Sequence, residues 1–277
     1  MHRVPPAAVR RELRREVGYG CPVPGCESPY LQWHHFDPPW RERQHHEPNG
    51  MVALCQEHHD KADAETFTKD QLREFKEQGA ARSKEVKGRF DWLRRDLLAV
   101  VGGMMYYDTP IIFNLNNQPI IWFTRDEDGY MLLNVRMVST SEEARMVMRE
   151  NFWLKQGTPE DLESPPHGKL LRVKYSNGDY LKVEFFELES ALAASSRYSE
   201  QQVDGLLAGD VTFPLTAVEV HNRVAGANID FGPRKTRIGN IVMTGGGSIG
   251  SGAALIVGPA DNIPSNLTDR WHYDPNL

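Results

Sequence analysis

Cysteine and histidine are concentrated in one short stretch of this 277-residue chain. All three cysteines lie within the first 55 residues, and six of the ten histidines lie between residues 34 and 59. Cys21 and Cys26 form one pair, and Cys55 and His58 form a second. A tetrahedral zinc ion takes four such donors, and it can hold together a small segment that has few large apolar residues. The spacing therefore predicts a structural zinc site; the alternative is three free buried cysteines and a surface histidine.

A second group of polar residues lies between the two pairs. His34 and His35 are adjacent in a strand-like segment, and neighbouring side chains of a strand point to opposite faces. One of them can then bind a metal ion while the other activates water, since an imidazole with a pKa near ~6.5 suits a general base. Hydrolysis of a phosphodiester needs both a base for the water and a cation for the phosphate oxygens.

Over residues 15–78 the chain resembles the HNH endonucleases, which are also called ββα-metal nucleases. The family places a histidine at a strand end, an asparagine in the following loop and a histidine at the start of a helix, often beside a zinc site built from cysteine pairs. The matching segments are LQWHHFDP (31–38), HHEPN (45–49) and VALCQEHHDK (52–61). The zinc ligands and the catalytic residues alternate here in the order that the family uses.

The resemblance implies a metal-dependent endonuclease that hydrolyses DNA phosphodiester bonds. His35 takes the position of the general base, and His34 and His59 take the positions of the catalytic-metal ligands. Asn49 matches the family's asparagine, which either orients the loop that bears the base or helps to bind the metal. Mg²⁺ or Mn²⁺ is the expected catalytic ion, with Ni²⁺ or a second Zn²⁺ as alternatives.

The chain departs from the family pattern at three places. His58 stands where the family more often has cysteine, so an exchange of roles between His58 and His59 stays open. Asn49 lies six residues before Cys55, where about five are expected from the resemblance. The pair at residues 45–46 has no family role; it contacts phosphate, adds a ligand or is simply exposed, and we favour exposure.

Charge is divided unevenly along the chain, whose formal net charge is −6. Residues 1–100 carry 17 Lys and Arg against 16 Asp and Glu, whereas the remaining residues carry 15 against 22. Basic runs at 1–15 and 82–95 flank the Cys/His segment, as expected of a surface that meets phosphates, although solvated helix faces are the alternative. The candidates for phosphate contact are Arg10, Arg11, Arg14, Arg15 and Lys61.

The fold class predicted is α+β, with two domains. An N-terminal nuclease domain covers 1–100, and a larger β-rich accessory domain covers 104–277. Helices are expected at 7–17, from Lys69 after an N-cap at Thr68, at 82–99 and at 141–151, while the remaining apolar segments read as strands. Without a long apolar run or an apolar leader, the protein is expected to be cytoplasmic and not bound to a membrane.

The second domain shows no family resemblance and no recognisable catalytic motif. An acidic, β-rich domain is not expected to grip DNA over a broad surface. We expect it to recognise a target, to bind an activating ligand or protein, or to form a homo-oligomer, as in a regulated nuclease of the defence or restriction type; this step is an analogy. The alternative function for the whole chain is a non-catalytic, zinc-stabilised DNA-binding or assembly module.

Overall fold

The computed structural model describes residues 2–83 and 85–258, and in these residues helices and strands are mixed, with strands predominating. The helices are α1 (Ala7–Glu16), α2 (Gln56–Asp63), α3 (Lys69–Arg82), α4 (Ala191–Arg197) and α5 (Glu200–Ala208). The strands are β1 (Leu31–His35), β2 (Met51–Cys55), β3 (Lys87–Arg89), β4 (Leu98–Val101), β5 (Met104–Tyr107), β6 (Ile111–Leu115), β7 (Gln118–Arg125), β8 (Met131–Arg136), β9 (Val147–Arg149), β10 (Phe152–Leu154), β11 (Pro159–Glu163), β12 (Leu170–Tyr175), β13 (Tyr180–Leu188), β14 (Leu215–Val224), β15 (Ile229–Phe231), β16 (Thr236–Ile238), β17 (Ile241–Met243), β18 (Gly247–Ile249) and β19 (Ala253–Val257). No helix among the described residues has the length and apolar character needed to cross a bilayer.

The chain forms two compact units, and each contains two separate segments. The first unit consists of Met1–Arg89 and Thr158–Ser176, and the second consists of Phe90–Gly157 and Asn177–Leu277. The strands β11 and β12 therefore belong to the unit that contains the Cys/His segment, although they lie far from it in sequence.

A short antiparallel hairpin followed directly by a helix forms the centre of the first unit. Leu31 of β1 lies opposite Cys55 of β2, and His35 lies opposite Met51. All five residues of β2 are buried, which fits its unbroken apolar sequence, and α2 begins at the residue that follows Cys55. The hairpin therefore places the end of β1 beside the first turns of α2.

Helix α1 is attached to β11 of the same unit by polar contacts. The Arg14 guanidinium donates two hydrogen bonds to Asp161 Oδ1, at 3.0 and 2.9 Å, and one to Asp161 Oδ2 at 2.7 Å. It also donates to Glu163 Oε1 at 3.3 Å. The Tyr19 hydroxyl donates to the carbonyl oxygen of Glu160 at 2.9 Å. These contacts fix the β11–β12 hairpin against the helix that precedes the cysteine loop.

The predicted cap at the start of α3 is confirmed. Thr68 Oγ1 accepts a hydrogen bond from the Gln71 backbone N–H at 3.2 Å, and Gln71 Oε1 accepts one from the Thr68 backbone N–H at 2.9 Å. This capping box pairs backbone donors that the first turn of a helix leaves free.

The two further helices predicted at 82–99 and 141–151 are wrong. The first range contains only the last residue of α3, then β3 and the first two residues of β4, and the ring centroid of Phe90 lies 5.0 Å from that of Phe185. In the second range Ser141 Oγ accepts from the Glu143 N–H at 3.2 Å, and β9 follows. In both places sheet packing and local side-chain hydrogen bonds outweigh a weak helical pattern.

The second unit is rich in strands. One set runs in the order β19-β6-β7-β8-β9-β10, in which β19 is parallel to β6 and the other pairs are antiparallel. In another, β13 to β17 pair in sequence order and antiparallel, and β4 lies parallel to β14. Helices α4 and α5 contribute Ala194, Val203 and Leu206 to an apolar cluster with residues of β4, β5 and β14.

Candidate metal centres and the adjoining cleft

The four predicted zinc ligands meet in one cluster. Cys21 and Cys26 lie on a turn after α1, held by a hydrogen bond from the Cys26 N–H to the Val23 carbonyl at 3.0 Å. Cys55 ends β2 and His58 lies in the first turn of α2. The four donor atoms all lie within 4.8 Å of one another.

The spacing of these donors fits a tetrahedral zinc ion. Zn–S bonds of about 2.3 Å and Zn–N bonds of about 2.0 Å place two sulfurs about 3.8 Å apart and a sulfur and a nitrogen about 3.5 Å apart. The sulfurs of Cys26 and Cys55 are 3.6 Å apart, and His58 Nδ1 lies 3.5 Å from Cys21 Sγ and 3.2 Å from Cys55 Sγ. The cluster can therefore hold one metal ion, and the chemistry of its donors is that of zinc.

Electrostatics shows why these side chains need a cation. Burial raises the pKa of the Cys21 and Cys26 thiols and lowers the pKa of the His58 imidazole. Without a positive charge the cluster therefore favours neutral thiols, which are poor ligands. A bound divalent cation reverses this preference, because it stabilises the thiolates directly.

A second cluster lies on the other side of α2, where His34, His59 and Asp63 converge. His34 comes from β1, and His59 and Asp63 are one helical turn apart on α2. His34 Nδ1 lies 3.1 Å from Asp63 Oδ1, and His59 Nδ1 lies 3.6 Å from Asp63 Oδ2. Ligands with bonds of about 2.0–2.2 Å to one metal ion are separated by about 3–3.5 Å, so these distances suit a shared divalent cation.

The His34 imidazole is held beside Asp63. Its Nδ1 is buried and lies 3.1 Å from Asp63 Oδ1. Burial, followed by the neighbouring His59, lowers the pKa of His34 to about 4. The ring is therefore neutral at neutral pH and has a free electron pair for a cation.

His35 is held in one orientation by the backbone of its own loop. Its Nε2 lies 3.0 Å from the His45 carbonyl oxygen, which can only accept, so Nε2 carries the proton of the neutral ring. The remaining Nδ1 is buried and makes no hydrogen bond to a described residue. Burial, followed by the charge of His45, lowers the pKa of His35 to about 4. The ring is thus neutral throughout the neutral pH range, with Nδ1 as its unprotonated nitrogen.

His34 and His35 line one cleft of about 580 Å³, although adjacent strand residues were expected on opposite faces. Both reach it because β1 ends at His35 and the chain turns there. Asp63 also lines the cleft, which brings the candidate ligands and the candidate base to one solvent-accessible space. Its remaining walls come from Arg3, Phe36, Pro39, Trp40, Arg41, Glu42, Ala62, Glu65, Phe67, Thr68, Lys69 and Leu72.

Asn49 is not among the described residues that line the cleft. It is exposed in a 3-10 turn, Pro48–Gly50. The loop that carries the base is instead fixed by the Gly50 carbonyl, which accepts hydrogen bonds from the N–H groups of Phe36 and Asp37 at 2.9 and 3.2 Å. A Cβ atom on Gly50 would lie 2.1 Å from the Asp37 carbonyl oxygen, so this close approach requires glycine.

His45, expected to be exposed, is buried. Its Nε2 donates to the Pro38 carbonyl oxygen at 2.9 Å, and its Nδ1 accepts from the Glu47 N–H at 3.2 Å. Both ring nitrogens are thereby used to hold the loop, and its backbone carbonyl orients His35.

The prediction that Arg14 contacts phosphate needs correction. Arg14 is only 6% exposed and its guanidinium is engaged by two carboxylates of β11, so it is not available to a phosphate. Arg11 and Lys61 are exposed but lie near Asp161 and Glu57, at 3.4 and 2.5 Å. None of the five predicted residues, Arg10 and Arg15 included, lines the cleft formed by the described residues. The cations that line it are Arg3, Arg41 and Lys69.

Sequence reasoning also missed Asp63. Its signal was the spacing of four residues from His59, which puts the two side chains on one face of a helix.

Comparison with protein-family models, curated proteins and solved structures gave no match for this chain. The functional argument therefore depends on the residues and geometry described above.

Proposed function

We propose that the protein is a metal-dependent endonuclease of the HNH type that hydrolyses DNA phosphodiester bonds. The observation that carries the proposal is that a neutral imidazole, His35, lines the same cleft as His34 and Asp63, two members of the three-ligand group completed by His59. A base for water and a cation for phosphate are the two requirements of the reaction, and here they are neighbours.

Each residue has a role that follows from its contacts. His34, His59 and Asp63 would hold a divalent cation, which when bound neutralises the phosphate and stabilises the leaving oxygen. His35 Nδ1 accepts a proton from the attacking water, and the bond from Nε2 to the His45 carbonyl keeps the ring oriented as charge develops on it.

The cysteine cluster supports this site through α2. His58 and His59 are adjacent, so a zinc ion bound at His58 fixes the first turn of the helix that presents His59 and Asp63. This arrangement explains the adjacent histidines: one belongs to each cluster, and their side chains point away from each other around the helix. The zinc is structural in this proposal and takes no part in the reaction.

A cleavage panel tests the proposal. Purified wild type, His35→Ala and the control His167→Ala are incubated with plasmid DNA and Mg²⁺, Mn²⁺, Ni²⁺ or Zn²⁺, and zinc content is measured alongside. His167 is an exposed histidine of the same unit and lies away from the cleft. We expect cleavage by wild type and the control, and a loss of about 10²-fold or more in His35→Ala with unchanged zinc content.

Two outcomes contradict the proposal in different ways. Full activity of His35→Ala would remove His35 as the base. A wild-type protein that retards DNA on a gel but never cuts it, with any of the four ions, would favour the non-catalytic zinc module.

A further inference from the structure

Among the described residues that line the cleft, Arg3 is the one cation without a carboxylate partner. Arg41 pairs with Glu65 at 3.0 Å, and Lys69 pairs with Asp37 at 2.9 Å. Arg3 is exposed, lines the same cleft and makes no ion pair with any described residue. Its guanidinium is therefore free to bind an anion that enters the cleft.

Arg3 lies beside the candidate catalytic residues. Burial is the main cause of the lowered pKa values of His34 and His35, and the positive charge of Arg3 contributes to both. The short arm His2–Val4 is attached to the cleft wall, because His46 Nε2 donates to the His2 carbonyl oxygen at 3.0 Å. An anion held by Arg3 would thus be near the base and the metal ligands.

An indole ring forms part of the same wall. The ring centroid of Trp40 lies 4.7 Å from that of His35 and 5.5 Å from that of His46, and the two histidine rings are 6.0 Å apart. The planes of the indole and the His46 ring are only 27° apart, so His46 stacks on part of the indole. Trp40 is only partly buried and lines the cleft, so a planar group in the cleft can reach the exposed part of its ring.

We propose that Trp40 and Arg3 form a subsite for an unpaired nucleotide of a DNA strand. Trp40 stacks on the base, and Arg3 binds a phosphate next to it. Bases in a duplex are covered by their neighbours, so a stacking platform selects single-stranded or locally opened DNA. The cleft, at about 580 Å³, has the size of a small-molecule site and not of a groove for a whole duplex. This inference rests on the proposed function and adds its substrate class.

Binding measurements without added catalytic metal test the subsite on the zinc-loaded full chain. The probe is a short fluorescein-labelled single-stranded DNA, compared with the duplex of the same sequence by anisotropy. Trp40→Ala should weaken single-strand binding about tenfold or more, whereas Trp40→Phe should retain most of it. The control Phe152→Ala removes an aromatic ring that is 54% exposed outside the cleft and should leave binding unchanged.

Salt dependence separates the two roles. Removal of one phosphate contact reduces the slope of log K against log salt by about 0.7 for single strands. Arg3→Gln should show that reduction, and Arg3→Lys should not. Lys235→Gln, which removes an exposed cation of the second unit, should keep the wild-type slope. Trp40→Ala should lower affinity at every salt concentration without changing the slope.

The outcomes distinguish the subsite from the nuclease activity. Wild-type affinity in Trp40→Ala, an unchanged slope in Arg3→Gln, or equal binding of duplex and single strand would each overturn the subsite. If the variants behave as expected but wild type cuts no DNA, the subsite stands and the hydrolytic function fails. If plasmid is cut and the variants bind as wild type, the hydrolytic function stands and the subsite fails.

Discussion

Replacing Asp161 by asparagine should destabilise the first unit strongly. Asp161 accepts three hydrogen bonds from Arg14, at 2.7 to 3.0 Å, and the Arg14 side chain is only 7% exposed. Removing one partner of a buried ion pair costs about 3–5 kcal/mol, because the remaining charge is left without compensation. Glu163 stays within 3.3 Å of the guanidinium, so we place the cost at the lower end, about 3 kcal/mol.

Urea unfolding of purified wild type and variants measures this cost as a change in midpoint at constant slope. The control Glu160→Gln removes a carboxylate of the same strand that pairs with Lys174 at 2.7 Å, with both side chains well exposed, and should leave the midpoint unchanged. The Arg14→Met, Asp161→Asn double variant should lose less stability than the sum of the single changes, since the orphaned charge is gone. A midpoint for Asp161→Asn equal to that of wild type would refute the argument.

Three further predictions concern the metal centres and the unit that holds them. Cys26→Ser should lower the zinc content below about one ion per chain and the unfolding midpoint with it, as atomic absorption and urea titration would show; unchanged zinc would remove Cys26 from the ligand set. Asp63→Asn should weaken the binding of Mn²⁺, measured by calorimetry, about tenfold or more while the zinc content stays constant. A loss of zinc instead would show that Asp63 supports the cysteine cluster and not the cluster of His34 and His59. A fragment of residues 1–100 lacks β11, so its amide proton NMR signals should fall in the narrow range of an unfolded chain; a widely dispersed spectrum would contradict this.

The zinc ligands could be predicted from the sequence because their geometry is local. Each pair is separated by few residues, so one turn brings its two donors together whatever the rest of the fold does. The cluster of four donors is found where the spacing put it, and β1, β2, α1 and the cap of α3 also follow from local patterns. The HNH resemblance depends on this same short segment and stays a prediction.

Contacts between residues far apart in the sequence could not be predicted in the same way. No local sequence pattern indicates that the partners of Arg14 lie on β11. An arginine on an amphipathic helix is expected to be exposed, and here a hairpin distant in sequence covers it. Arg3 and Trp40 are equally unremarkable in the sequence. Both become candidates for ligand contact only through the fold: the loop between β1 and β2 brings Trp40 to the cleft of His34 and His35, and the arm held by His46 brings Arg3 there.

The sequence by itself determined which atoms are available for metal binding, since the number and spacing of cysteine and histidine are written in it. The tertiary structure decided which of these atoms could share an ion: it places His58 with the cysteines, and His59 with His34 and Asp63. The physical reason is the pitch of α2, because neighbouring residues of a helix point to different sides of it. The cysteine turn and β2 meet one side of α2, and β1 meets the other.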